Sequence, residues 1–376
     1  MKKRHVKRLV LAAAALALLG VGVLVSGIVP VKASGGHWAV TRWVLDFASD
    51  RSVSLHSRGV DTPPLDEPGI VRLGAAIYET NCRFCHGEPG GGRPPVAGGM
   101  TPKPPNLLTA ARQKEPRELF YIVKHGIKFA GMPAWPTQQR EQEIWPVVAF
   151  LQQWPETSTA EYRQMVHGRA DAPADVSVDG FAATIDLVRR RCAACHGVDG
   201  HGIGSPRVPI LAGQREAYLR QALLAYREQD RHSGVMMPVA YWLSDAQIAA
   251  LAAHYSSQPP PPESSQESLA RIDRGLQSEG RRWAHQGDVA AKIPACVACH
   301  GPGEHSDKAH QAEPHYPRLA GQPQQYLQNQ LRLFAERNRG GGPDASLMHE
   351  VADNLDEDHR AALAAYYASL SAKDEK

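Results

Sequence analysis

Hydrophobic residues fall along this chain in two regimes. Leu9 to Val31 is an uninterrupted run of 23 residues without a charge. Secretory signal cores run roughly 7–15 residues and membrane-spanning helices about 20, so its length favours a span. Beyond it, apolar positions recur at helical intervals. Ile70, Leu73 and Ile77 share one face and predict a helix over residues 70–80 that leads into Cys82. Glu118 to Lys128 reads as a second amphipathic helix. A closing helix over 141–153 carries Ile144, Val147, Val148 and Leu151 on one face. No stretch keeps the strict alternation of a half-buried strand, and the expected fold is all-α.

The second half of the chain repeats itself. Leu211-Ala-Gly-Gln214 returns as Leu319-Ala-Gly-Gln322, and Tyr218-Leu219 as Tyr326-Leu327, both 108 residues later. Met236 with Val239-Ala240 returns as Met348 with Val351-Ala352, and Leu251-Ala-Ala-His-Tyr255 as Leu363-Ala-Ala-Tyr-Tyr367, now 112 residues later. Cys192 and Cys296 are 104 apart, so the offset grows in two steps of four, expected as loop insertions. The resulting division is a signal or anchor over 1–33, a juxtamembrane segment over 34–65, and units over 66–162, 175–257 and 267–371. A Pro-rich stiff linker, 258–266, separates the last two.

Charge sharpens the picture of the N-terminus. Five of the 42 basic residues lie within Lys2 to Arg8, and without them 37 basic residues face 39 acidic ones, a net of −2. Under the positive-inside rule these five stay cytoplasmic and everything after Ser34 is exported. Val31-Lys32-Ala33 is an alternative cleavage site that would release the chain to the periplasm. Trp38 and Trp43 in the following segment suit either a headgroup-level anchor or packing on the first unit. No clustered basic face suggests nucleic acid.

All six cysteines occur as Cys-x-x-Cys-His: Cys82, Cys85 and His86; Cys192, Cys195 and His196; Cys296, Cys299 and His300. This spacing attaches haem c, with both thiols on the vinyl groups of one porphyrin and the imidazole on the iron. Three sites and no spare thiol imply three covalently bound haem groups. A protein-closed zinc site needs four ligands, into which three motifs do not partition. A thiol redox pair needs a βαβ setting, and structural disulfides leave the recurring histidine unexplained.

Each iron also needs a sixth ligand or an open face. Met348 is the sole methionine of unit three, 48 residues after His300. The repeat then selects Met236 over its rival Met237 in unit two, and Met132 stands in a comparable position in unit one, 46 residues after His86. Met100 is the lesser alternative there, and Met165 reads as packing or surface. Thioether ligands are soft and raise the potential. A metal-bound imidazole usually donates its other N–H to a carbonyl, and Pro105, Pro209 and Pro317 follow their motifs at a suitable distance. The unmatched histidines, among them His125, His201, His232, His254, His305, His315, His349 and His359, read as solvated surface.

Each unit resembles a class I cytochrome c domain: N-terminal helix, Cys-x-x-Cys-His, wrapping loop, distal methionine, C-terminal helix. Units two and three are similar to tandem dihaem cytochromes c through Pro-x-Leu-Ala-Gly-Gln, Tyr-Leu and Met-x-x-Val-Ala-x-x-Leu. Unit one is similar to monohaem domains that carry Gly-Met-Pro-Ala-Trp, here Gly131 to Trp135. In that family the proline before the leucine supplies the carbonyl to the proximal histidine, which singles out Pro209 and Pro317. Unit three departs at Asn354-Leu-Asp-Glu, where unit two has Trp242-Leu-Ser-Asp, a change expected to alter a helix cap.

The implied function is electron transfer at the periplasmic side of a bacterial inner membrane. A quinol-oxidising complex or dehydrogenase would donate, and a terminal oxidase or soluble cytochrome would accept. The alternatives are a fixed cytochrome subunit of a membrane dehydrogenase or oxidase complex and, third, a haem enzyme such as a peroxidase. Closed His/Met irons would leave no coordination site for a substrate, so no catalytic residue is expected.

Overall fold

The computed structural model describes residues 2–168, 180–261, 272–300 and 316–371. Residues 262–266 of the expected linker, and the histidines 305 and 315, lie outside the described residues. Among the described residues there are helices, turns and three isolated bridges but no β-strand.

Helix α1 (Lys2–Val25) is exposed along its length, and its segment Lys3–Val25 is long and apolar enough to cross a membrane. Helix α2 (Ala39–His56) follows. Its C-terminal part meets unit one through buried Val53 and the stacking of His56 on Tyr121. Its N-terminal part carries an apolar stripe of Val40, Trp43, Val44 and Phe47, all exposed. Trp38 and Trp43, at 68% and 65% exposure, therefore do not pack on unit one.

In unit one, α3 (Ile70–Asn81) buries Ile70, Leu73 and Ile77, as their spacing predicts. Helix α4 (Pro116–His125) starts earlier than the apolar pattern suggests, because Pro116 and a Glu115/Glu118 capping box nucleate it. It ends three residues sooner, at Gly126 with φ 65°. The closing helix also splits: a 3-10 segment, Gln138–Glu143, bends at Arg140 before α5 (Ile144–Gln153) begins. Helix α6 (Thr159–His167) adds Tyr162 to a ring cluster of Tyr78, Phe150 and Trp154.

Unit two comprises α7 (Gly180–Arg191), α8 (Glu216–Arg227), α9 (Met236–Tyr241) and α10 (Asp245–Ser257). Unit three repeats this with α11 (Arg274–Gln286), α12 (Gln324–Ala335), α13 (Ala345–Asp353) and α14 (Glu357–Ser369). Two departures from the repeat are informative. Helix α13 begins three residues before Met348, whereas α9 begins at Met236, so the second four-residue insertion partly lengthens a helix rather than a loop. The altered cap changes residue, not function: Ser244 accepts from the Gln247 N–H, and Asp356 accepts from the His359 N–H at 2.9 Å.

Terminal helices cross in close contact at a glycine in units one and three. Gly74 of α3 lies against the Pro146 carbonyl and Phe150 of α5, and Gly280 of α11 lies against the Ala362 carbonyl and Tyr366 of α14. A Cβ at either place would overlap the facing carbonyl. Gly74→Ala and Gly280→Ala should each destabilise the holoprotein by about 1–3 kcal/mol, the cost of overpacking a close helix crossing. Guanidinium denaturation, with an Ala76→Gly control in the same helix, measures this; an unchanged midpoint for Gly74→Ala would refute the close-contact account.

Candidate haem sites

Each Cys-x-x-Cys-His folds as a short helical turn after a longer helix. His86, His196 and His300 donate their backbone N–H groups to Cys82, Cys192 and Cys296 carbonyls at 3.0, 2.9 and 2.9 Å. The glycine after the motif takes φ 76° in unit one and 74° in unit two, which reverses the chain. A tyrosine hydroxyl then fixes that turn: Tyr78 donates to the Gly87 carbonyl at 2.8 Å and Tyr255 to the Gly197 carbonyl at 3.1 Å.

The surroundings of four thiols favour the protonated form. Burial pushes Cys82 and Cys195 up to about 12, and Cys192 and Cys296 up to about 11. A disulfide-exchange thiol is typically shifted the other way. Two of the imidazoles are held neutral: burial pulls His86 down and brings His196 to about 4, against the weaker opposing effect of the Pro209 carbonyl. Neutral imidazole is the metal-binding form.

The proline carbonyls separate the units. His196 Nδ1 pairs with the Pro209 carbonyl and His300 Nδ1 with the Pro317 carbonyl, both at 3.2 Å. An imidazole engaged this way presents Nε2 as its metal-binding nitrogen. Unit one differs. His86 Nδ1 is buried without a hydrogen-bond partner, Pro105 is exposed, and the neighbouring Pro104 carbonyl accepts from Arg93 at 3.2 Å. The expected His86–Pro105 contact is not made.

The methionines are distributed as follows. Met236 and Met348 line one continuous cavity of about 930 Å³, together with His196, His300 and the cysteines of both motifs. Met237 does not line it; its sulfur accepts from the Ser233 N–H at 3.2 Å. Met132 packs partly buried against the core of unit one, and Met165 does likewise. The Met100 methyl lies over Gly131, beside Met132, so both candidates of unit one share one place. Three histidines expected at the surface are instead structural: His254, 8% exposed, pairs with the Val198 carbonyl, His349 with the Arg339 carbonyl and His201 with the Pro259 carbonyl.

Sequence reasoning missed the seam between units two and three, which obeys a pseudo-two-fold axis. The Gln214 side chain pairs with the Arg318 backbone (3.0 and 2.9 Å), and the Gln322 side chain with the Ile210 backbone (2.8 and 3.0 Å). His232 N–H reaches the Asn338 carbonyl, and Gly340 N–H reaches the Asp230 carbonyl. Every one of these pairings maps onto its mirror by the 108-residue offset, the reciprocity of a two-fold interface. On the axis, Arg231 and Arg339 form a bridge. Each guanidinium covers an aromatic ring, Tyr226 at 4.6 Å and Phe334 at 4.3 Å. Both also reach Tyr218 and Gln330. The signal was available: both arginines obey the offset already seen in Leu-Ala-Gly-Gln.

These arginines test whether a haem group fits. They are 5% and 7% exposed, line the shared cavity, and among the described residues neither pairs with a carboxylate. Burial raises the Tyr218 hydroxyl, yet Arg339 and Arg231 outweigh it and draw it below its ordinary value. The cavity is thus short of negative charge. Two porphyrins carrying propionates would supply it, and the donor set of thiols, imidazoles and thioethers suits haem iron. The residues present fit the group.

Comparisons with known proteins bear on the same stretches. Residues 70–151 match the family model described as cytochrome c oxidase, cbb3-type, subunit III, and residues 183–258 and 288–371 each match the cytochrome c model. A thiosulfate dehydrogenase electron acceptor from Stutzerimonas stutzeri is 36% identical, over 49% of this chain and 80% of its own. A cytochrome c4 from Pseudomonas aeruginosa is 30% identical, over 54% of this chain and 92% of its own. A solved cytochrome c4 structure from Acidithiobacillus ferrooxidans aligns with TM-score 0.41 at 36% identity, covering 48% of this chain and 98% of that one.

The reciprocal glutamines yield a stability test. Gln322→Ala strips two hydrogen bonds from the Ile210 backbone and should cost about 1–3 kcal/mol, the penalty for leaving buried partners unsatisfied. Gln214→Ala should cost the same by symmetry, measured by denaturant unfolding of the holoprotein; a loss at one position alone would contradict the two-fold seam.

Proposed function

Because this chain belongs to the cytochrome c family, we propose that it carries three covalently attached haem groups and conducts electrons along them without catalysing a reaction of its own. The observation that carries this reading is the shared cavity of units two and three, where two histidine–methionine sets and two buried arginines face one space. Haem supplies a one-electron iron couple when bound; everything else is the work of the chain.

That work has three parts. His86, His196 and His300 would ligate iron on one side, and Met132, Met236 and Met348 on the other, closing each site to substrates. The Pro209 and Pro317 carbonyls orient two of the imidazoles and raise their donor strength. Arg231 and Arg339 would balance propionate charge, and the surrounding apolar residues exclude water, which favours the less charged ferrous state.

Placement at a membrane has two supports. One is the apolar length of α1. The other is the exposed stripe of α2, thirteen residues or so further on, which suits the headgroup region of a bilayer on its exported side. The Thr101 hydroxyl donates to the Ala33 carbonyl, so the segment between the two helices is tied to unit one. For partners, the name of the S. stutzeri relative supports a periplasmic dehydrogenase as donor, and the oxidase-subunit match of residues 70–151 supports a terminal oxidase as acceptor.

A redox titration of detergent-solubilised membranes tests the reading. Three one-electron waves are expected, each with a methionine-to-iron charge-transfer band when oxidised, in protein that sediments with the membrane before extraction. The reduced protein should bind carbon monoxide slowly or not at all at neutral pH; rapid stoichiometric binding at one haem would overturn the closed-site reading. Met236→Leu should remove one band while Met237→Leu leaves all three.

A further inference from the structure

The turn that leads into Met236 is held in part from outside its own unit. Ser233 Oγ accepts from the Met236 and Val235 N–H groups at 3.0 and 3.3 Å, capping the start of α9. That hydroxyl donates in turn to Glu143 of unit one at 2.7 Å, and the second Glu143 oxygen accepts from the Gly234 N–H at 2.7 Å. Arg140 closes the arrangement, binding Glu143 at 2.9 Å and the His232 carbonyl at 2.9 Å. Asn81, also from unit one, donates to the Gly234 carbonyl at 3.1 Å.

Packing reinforces this clamp. Trp135 of unit one is buried against Gly234, where any added Cβ would overlap the indole. Trp135 stands three residues after Met132, and Gly234 two residues before Met236. The loops that carry the two candidate ligands therefore touch. Side chains of Glu143 and Arg140 are almost fully buried, at 12% and 10% exposure, and charge-assisted bonds in such surroundings are short and directional. The equivalent turn of unit three, Gly340 to Asp344, shares the seam bond, its Gly340 N–H lying on the Asp230 carbonyl at 2.9 Å as the His232 N–H lies on the Asn338 carbonyl, whereas the Glu143 contacts belong to the turn of unit two.

We propose that Glu143 and Arg140 of unit one are positioning residues for Met236, so that the seating of unit one on unit two sets the distal ligation of the second haem. The proposal rests on the reading of Met236 as that ligand. In a two-unit protein lacking residues 66–162, Ser233 would have no such acceptor. The extra unit thereby acts on its neighbour's potential, besides carrying a haem of its own.

The test uses full-length holoprotein in detergent. Glu143→Ala is expected to remove the charge-transfer absorbance of one site in three, to shift one midpoint potential downward and to open one haem to carbon monoxide, with the Met348 site unchanged. Glu143→Asp, which restores the charge, should recover part of the band, a recovery that a loss of bulk stability would not produce. Met236→Leu should remove the same share, and adding Glu143→Ala to it should remove nothing more. Wild-type band intensity and three unshifted midpoints in Glu143→Ala, alongside a lost band in Met236→Leu, would overturn the positioning role. No change in Met236→Leu would instead overturn the ligand assignment beneath it. Should Glu143→Ala fail to mature, Ser233→Ala removes the same link from the other side and is read in the same way.

Discussion

Two like charges buried on one axis are the constraint around which the rest is arranged. Taking a guanidinium out of water without a counter-charge costs several kcal/mol even after relaxation, roughly. Here Arg231 and Arg339 meet at the seam of units two and three. Aromatic faces, Tyr218 and Gln330 satisfy much of their hydrogen-bonding need but none of their charge. Anions in the cavity that the two arginines line would offset that cost. The propionates of the proposed haem groups would be such anions.

The seam falls where the two copies match most closely. Gln214 and Gln322 read each other's neighbouring backbone, and Arg231 and Arg339 form an isolated antiparallel bridge. Each of these contacts is made twice by symmetry, so a change in one copy leaves a buried partner unsatisfied in the other. Outside the seam the two units are free to diverge. The cap of the last helix is serine in one copy and aspartate in the other, and α13 has helical residues ahead of its methionine where α9 has none.

Unit one is joined by different physics. Val208 lies within its core cluster and Ala194 and Cys195 pack against it, so the second Cys-x-x-Cys-His turn rests on apolar surface of the first unit. Polar specificity comes from Glu67 with Arg207, and from Glu143 and Arg140 with residues 232–234. The segment 230–237 consequently touches all three units: unit three pairs with its start, unit one holds its centre, and its end carries a candidate ligand.

Much was legible along the chain because it is local. The thiol and imidazole spacing, the apolar faces of α3 and α5, the 23-residue uncharged run and the 108-residue offset depend on neighbours in sequence. Met236 and Met348 could be singled out by matching two copies, and the proline carbonyls at 209 and 317 by their fixed distance from the histidines. Where unit one lacks a copy to compare, the expected Pro105 contact is absent and Met100 and Met132 share one place. Histidines 254 and 349 looked like surface because nothing in their surroundings along the chain shows the carbonyls that fold against them. What only the tertiary structure decided is who holds whom: the arginine pair, the reciprocal glutamines and the Glu143 clamp join residues about 90 or more positions apart. Periodicity and motif spacing nominate a candidate ligand, but the side chains that pack against its turn are chosen by contacts between units.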